Sequence, residues 1–153
     1  MKFHQGVYQV KNDQKYVGSR APRFRSSWEL TFMRMCDSHP SVIQWSSEPV
    51  RIPYKHPFTG KQSMYVPDFL MVYVNKKGRK IAELIEIKPK KQTTMESIKS
   101  QQDKANYLIN RSKWLAAGQW AKRKGIRFRV LNEDSIYVIT VSYTHLRAHE
   151  TVS

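Results

Sequence analysis

The strictest alternation of apolar and polar positions lies in the middle of the chain. Phe69, Met71 and Tyr73 fall on one side of an extended segment, and Val66, Asp68, Leu70 and Val72 on the other. Further on, Leu84, Glu86 and Lys88 share a face, with Ile85 and Ile87 opposite. Asn75-Lys76-Lys77-Gly78 lies between the two runs. A three-residue loop, Lys76 to Gly78, suits this sequence, because glycine occupies the left-handed position at no steric cost. Such a loop pairs Asn75 with Arg79. Counting back, it sets Asp68 opposite Glu86 on one face, with Cβ atoms about 5 Å apart. A slip of one residue would turn Glu86 to the other face. The turn chemistry therefore predicts a cluster of Asp68, Glu86 and Lys88.

Other patterns frame this hairpin. Ser26 opens a predicted helix to about Ser38, with Trp28, Phe32 and Met35 at core-facing spacing. Ser26 and Glu29 form a capping box, in which each side chain satisfies a free backbone donor of the other. His39-Pro40 ends this helix. Strands are predicted at 42–45 and 50–54, followed by a polar loop over 55–63. Pro89 stops the strand that carries Glu86. A helix over 95–109, with Ile98, Ala105, Leu108 and Ile109 on one side, precedes a second over 113–124. Ser112 caps the second helix, and Trp114, Ala117 and Ala121 line up along it. Gly125 terminates it, and 126–131 alternates as a last strand with its arginines on one face. Strands, helices and a returning strand make an α/β fold with a mixed central sheet flanked by helices.

Charge narrows the function. The 153 residues suit one domain with a modest core. Lys and Arg number 27 against 12 acids, a net charge of +15, which calls for a polyanionic partner, most simply double-stranded DNA. No stretch is apolar enough to span a bilayer and no helix is cleanly basic and amphipathic, so a membrane partner is not expected. Cys36 stands alone, which excludes an internal disulfide and a zinc cluster and leaves a small buried apolar residue. The N-terminus lacks the apolar core of a signal peptide, so the protein is expected inside the cell and not secreted. Residues 1–22 are polar and basic and read as a poorly structured arm or an interaction segment.

Two carboxylates held that close repel one another unless a cation lies between them. Hard oxygen donors with few His or Cys favour Mg²⁺ or Mn²⁺ over zinc. Lys88 is placed to orient or deprotonate a water, or to offset charge on a phosphate. Together these are the requirements of metal-assisted phosphodiester hydrolysis. The plain alternative is an Asp after a Pro at a strand kink, beside a surface Glu–Lys pair worth about 0–1 kcal/mol. Lys80, Lys88, Lys90 and Lys91 form a basic rim that would hold a phosphate backbone without reading sequence. A lone loop histidine, His56, is more simply solvated.

Pro67-Asp68 followed by Glu86-Ile87-Lys88 resembles the PD-(D/E)xK nuclease motif. The resemblance implies a restriction-endonuclease-like core. It also implies that Asp68 and Glu86 bind metal with the Ile87 carbonyl, and that Lys88 serves the attacking water. Phe24-Arg25-Ser26-x-x-Glu29 resembles the first-helix motif of phage junction-resolving endonuclease I and of TnsA-type transposon nucleases, which implies that Glu29 joins the metal site. Capping and metal binding both stand open for Glu29. A narrower likeness is to the T-even-type phage head completion nucleases. It rests on Arg25-Ser26-Ser27-Trp28-Glu29, Ile52-Pro53-Tyr54, Glu86-Ile87-Lys88-Pro89-Lys90-Lys91, Lys113-Trp114-x-Ala116-Ala117 and the run from Gly125 to Leu131. That likeness covers roughly residues 5–134. It implies a phage protein of the virion or host cytoplasm that acts on packaged DNA, with capsid or portal-neck proteins as further partners.

The resulting expectation is a basic arm over 1–22, a nuclease domain over 23–134 and a non-native tail over 135–153. The tail breaks the basic composition: residues 134–153 hold one basic and two acidic residues, against 26 and 10 before them. It resembles adapter or vector read-through, so His145 and His149 are assigned no site. Catalysis is expected from Asp68, Glu86, Lys88 and Glu29, with Mg²⁺ or Mn²⁺ on Asp68, Glu86, Ile87 and Glu29. DNA contacts are expected from Arg25, Lys80, Lys90, Lys91 and Lys113, in a protein that is a homodimer if it follows the resolvases. The rival is a structural head-completion protein that caps DNA without cutting it. An RNA-binding module ranks lower, because the aromatic signature of an RRM is missing.

Overall fold

A computed structural model describes residues 5–136. Its centre is a four-stranded sheet made of β3 (Val42–Ser47), β6 (Phe69–Val74), β7 (Lys80–Ile87) and β8 (Arg127–Leu131), in that spatial order. The first two pairings are antiparallel, and β7–β8 is parallel. A parallel neighbour needs a long crossover. Here it is provided by two 3-10 turns, Lys90–Gln92 and Met95–Ser97, and by helix α2, Gln101–Arg123. The mixed α/β sheet flanked by helices is the architecture expected.

The hairpin forms in the anticipated register. Phe69 pairs with Ile85 and Val74 with Lys80. The Asn75 N–H donates to the Arg79 carbonyl at 2.9 Å, and Gly78 has φ +77°. Asn75 Oδ1 also accepts from the N–H groups of Lys77 and Arg79, which tightens the turn. One correction applies to the first strand. The extended run through Tyr65 and Phe69 is two strands, not one. β5 (Gln62–Tyr65) pairs with β4 (Ile52–Lys55) in a separate sheet, and the chain bends at Val66-Pro67-Asp68 before β6. Pro67 lacks the N–H that a continuous ladder would use.

Both faces of the central sheet are covered. Helix α1 (Ser27–Ser38) packs Phe32, Met33, Met35 and Cys36 with Trp45, Phe69, Met71 and Ile85. On the other face Leu84 joins Ile52, Tyr54 and Tyr65 of the small sheet and Ala117 and Ala121 of α2. Each fully buried large side chain contributes about 1.5–3 kcal/mol. Trp28, expected in the core, is 39% exposed; the buried stripe of α1 lies on the Leu30, Phe32 and Met33 side.

Two further expectations give way. The helices at 95–109 and 113–124 are one continuous α2. Ser100, not Ser112, caps it by accepting the Asp103 N–H at 3.0 Å. Ser112 lies mid-helix, where its capping preference has no free donor to serve. Residues 5–22 do not form a frayed arm. β1 (Gly6–Val7) pairs with β2 (Arg23–Phe24), and Tyr16 bridges to Trp45 on the edge strand β3. The Asp37 carboxylate, 1% exposed, accepts from the Tyr8 hydroxyl at 2.6 Å and from the N–H groups of Lys11 and Asn12 at 2.8 and 3.0 Å. The Lys15 ammonium donates to the carbonyls of Asp37 and His39, closing the C-terminal end of α1 with a positive charge.

Cys36 is wholly buried, and burial pushes its thiol up. Ile136 is 2% exposed within the first core. Residues 137–153, with His145 and His149, lie outside the described residues.

Candidate functional site

The bend at Pro67 puts Asp68 at the mouth of the hairpin. Continuing the ladder outward from Phe69 and Ile85 sets Asp68 across from Glu86. Asp68 Oδ2 accepts the Ile87 N–H at 2.8 Å, and its carbonyl accepts the Glu48 N–H at 2.8 Å. Glu86 is 6% exposed, and its Oε1 is buried with no hydrogen-bond partner. Lys88 follows directly, and its N–H is fixed to the Leu131 carbonyl at 2.9 Å.

Electrostatics make this pair unusual. Burial, then the charge of Glu86, pushes the Asp68 carboxyl up to about 7. Burial also raises Glu86, while Lys88 opposes the rise. Two buried acids that close cannot both ionise readily, so near neutral pH without a cation they share one proton. The direct Asp68–Glu86 interaction favours Glu86 as the anion and Asp68 as the proton carrier.

The surroundings of Glu86 could not be read from the sequence. The Tyr65 hydroxyl and Trp114 Nε1 are both buried without a hydrogen-bond partner of good geometry. The Tyr65 hydroxyl lies close enough to Glu86 to favour its anion, and burial followed by the Glu86 charge raises the phenol. The Lys113 ammonium stands 5.9 Å from the ring centroids of Tyr54 and of Tyr65, and its charge also favours the Glu86 anion. Lys113 thus belongs to the site. The sequence pointed to Lys113 only as a DNA contact and as part of the Lys113-Trp114-x-Ala116-Ala117 likeness, not as a neighbour of Glu86.

Glu29 reaches the site from α1. It lines a cavity of about 240 Å³ with Ile87, Lys88, Pro89 and Gln92. Burial raises its carboxyl, and the charge of Asp68 raises it further. Half of the capping box forms: the Glu29 N–H donates to Ser26 Oγ at 3.2 Å, whereas the Glu29 carboxylate accepts from the Ser26 hydroxyl at 3.2 Å, a side-chain bond in place of the expected one from a backbone N–H. The same side chain thus supports the α1 cap and feels the charge of Asp68. Glu29→Gln keeps the cap, so melting should stay close to wild type. If Glu29 touches the metal or its waters, cleavage should drop about 10–100-fold. Unchanged cleavage rates would leave Glu29 only its cap.

The remaining basic residues divide. Arg25 pairs with Glu48 at 3.2 Å on the surface. Lys90 is tied to Glu133 through its N–H and to Asp134 through its ammonium, at 2.9 and 3.2 Å. Lys91 faces a cavity beside Lys88. Lys80 stands at the opposite end of β7, six residues from Glu86 and roughly 20 Å away at about 3.3 Å per residue. It does not join the rim, because a strand separates residues that sequence proximity groups together. Glu83, 1% exposed, meets the Arg129 guanidinium at 3.1 Å and belongs to the sheet's other face.

Among the described residues no three acid, imidazole or thiol side chains form a ready-made metal cage. The donors present are two facing carboxylates, one with an unpartnered buried oxygen. That set fits Mg²⁺ or Mn²⁺, which keeps several waters and takes one or two carboxylates. It does not fit zinc, which takes four nitrogen, sulfur or oxygen ligands.

The fold thus brings together an acid pair at a hairpin mouth, a lysine just past the end of β7 and a glutamate on α1. The chain belongs to the TnsA-like endonuclease family, matching its N-terminal domain over residues 39–133. It is also 33% identical over 144 residues to the head completion nuclease of Enterobacteria phage T4, a match covering 87% of this chain and 93% of that relative. Both findings put the chain among the nucleases.

Proposed function

We propose that this protein is a divalent-metal-dependent DNA endonuclease that hydrolyses phosphodiester bonds, acting on packaged DNA during phage head completion. Asp68 and Glu86 hold Mg²⁺ or Mn²⁺, with the Ile87 carbonyl and Glu29 completing the site. The observation that carries this reading is the buried pair itself. An unpartnered Glu86 oxygen facing an Asp68 raised to about 7 is costly to the fold and is relieved by a cation. The bound ion would polarise the phosphate and lower the pKa of a water.

The chain's own residues do the rest. Ile87 N–H orients Asp68. Lys88, Tyr65 and Lys113 favour the Glu86 anion against the burial that raises its carboxyl. Lys88 acts electrostatically on both acids, from where it can position the attacking water or meet the charge that builds on the phosphate. Lys91, Lys113 and Arg25 hold the backbone of the DNA. Capsid or portal-neck proteins are the expected partners of this activity, and a homodimer its expected form.

The test is incubation of purified protein with plasmid and branched DNA. Cleavage is expected with Mg²⁺ or Mn²⁺ and none with EDTA. Undiminished cutting in EDTA would sink the metal mechanism. No cutting under any condition would favour a head-completion protein that caps DNA, a role in which buried paired acids facing a polyanion have no use.

A further inference from the structure

Beside the acid pair lies a cavity of about 560 Å³ between α2 and the 3-10 turns that follow β7. Three lysines line it from three parts of the chain: Lys88 after β7, Lys91 in the first 3-10 turn and Lys113 on α2. Asp103 is the one acid in the lining, and it already has a structural place in the first turn of α2, where an acid complements the helix dipole. The cavity is therefore built for an anion. The charges of Lys88 and Lys113 also act on Glu86, so the cavity shares two lysines with the candidate site.

Its size and its remaining lining say which anion. About 560 Å³ falls within the roughly 300–1,000 Å³ of pockets that enclose one small molecule, enough for one or two nucleotides and far too little for a duplex. Gln92, Asn106 and Asn110 bring three amides into it, the last two one helical turn apart on a single face of α2, with Asn106 Oδ1 accepting from Gln102 at 3.1 Å and its NH₂ left to donate. Amides both donate and accept, so they can meet the edge of any base that has lost its partner. Ile98 adds an apolar surface on which a base can lie. A cavity for backbone phosphate alone would need only the lysines.

We propose that this cavity holds unpaired nucleotides of the strand being cut, next to the scissile phosphate, so that the protein prefers DNA with an unpaired stretch over continuous duplex. This placement rests on the endonuclease reading; the preference in binding does not.

The test is fluorescence anisotropy in EDTA. It compares a blunt duplex with the same duplex carrying a short single-stranded flap, for wild type and for the double variant Asn106→Ala, Asn110→Ala. Alanine is the best helix former, so α2 should remain intact. Wild type should bind the flapped DNA about tenfold more tightly at equal salt. The double variant should lose most of that ratio, whereas Lys77→Ala, in the hairpin turn at the far end of β7, should keep it. Equal affinity of wild type for the two DNAs, or a double variant with the full wild-type ratio, overturns the proposal. If the ratio holds but no DNA is cut with Mg²⁺, the endonuclease reading fails while the groove stands.

Discussion

Asp68→Asn is expected to lower cleavage by several orders of magnitude and to make the protein more stable than wild type above neutral pH. The first effect follows if the metal needs an anionic oxygen at this position. The second follows from burial, which, with the Glu86 charge, pushes the folded Asp68 carboxyl up to about 7. An unfolded Asp ionises near 3.9. A raised acid costs the fold nothing below the unfolded value; the cost grows as pH rises and is complete above the folded value. At about 1.4 kcal/mol per pKa unit, and allowing for relaxation of a buried pair, Asn should gain roughly 1–3 kcal/mol at pH 8 and little at pH 4. Asn retains an oxygen to accept the Ile87 N–H, so the bend at Pro67 is kept. Thermal melts at both pH values in EDTA read the difference, about 3–10 °C at pH 8. Mg²⁺ should raise the melting temperature of wild type and not of the variant. Affinity for duplex in EDTA should hold or rise slightly, since one repulsive charge is gone. A variant that cuts like wild type, or melts with it at pH 8, contradicts the assignment of the acid pair.

Asp37→Ala should be the most damaging single change outside the site, at about 3–5 kcal/mol. It strands the Tyr8 hydroxyl and the N–H groups of Lys11 and Asn12 in one stroke. Residues 5–22 should then detach, uncovering the β3 edge at Trp45, and a protease should cut there first. Acidification should mimic part of this. Burial pushes the Asp37 carboxyl up, but the hydrogen bonds from Tyr8, Lys11 and Asn12 outweigh burial and leave it below its usual value. A lowered acid contributes stability above its unfolded value near 3.9, and that stability is lost as pH falls through the folded value. Wild type should therefore lose stability below about pH 4 by a route closed to the variant. If the variant melts with wild type and resists protease equally, apolar contacts alone hold the segment.

The hairpin and its acids were legible because turn chemistry and period-two patterning agree: Gly78 fixes the loop, the loop fixes the register, and the register fixes Asp68 against Glu86. The Glu29 cap was legible for the same reason, being local. What failed was non-local. Ser112 looked like a cap because capping preference is a property of a residue and its next three neighbours. Whether a helix is already running through them depends on packing, here of Tyr107 and Ala117 on the same α2. Residues 5–22 looked unstructured because they bury few apolar groups. They are held by an acid 25 and more residues away and by backbone bonds to Trp45, contacts with no sequence pattern. Tyr65 and Trp114 sit on elements of a different sheet and helix, so nothing in their spacing ties them to Glu86.

The parallel pairing of β7 with β8 bears on when the candidate site is assembled. The lysine of the motif is anchored through its N–H to Leu131, and Glu86 stands beside Val130 in the same ladder. Those partners are translated more than forty residues after the acids, beyond the whole of α2. A chain still emerging from the ribosome holds both carboxylates and most of its positive charge, yet lacks the strand that fixes them. Long-range parallel pairing is also among the slower steps of folding. The acids and the lysine are thereby held in place only once Arg127–Leu131 has paired with β7.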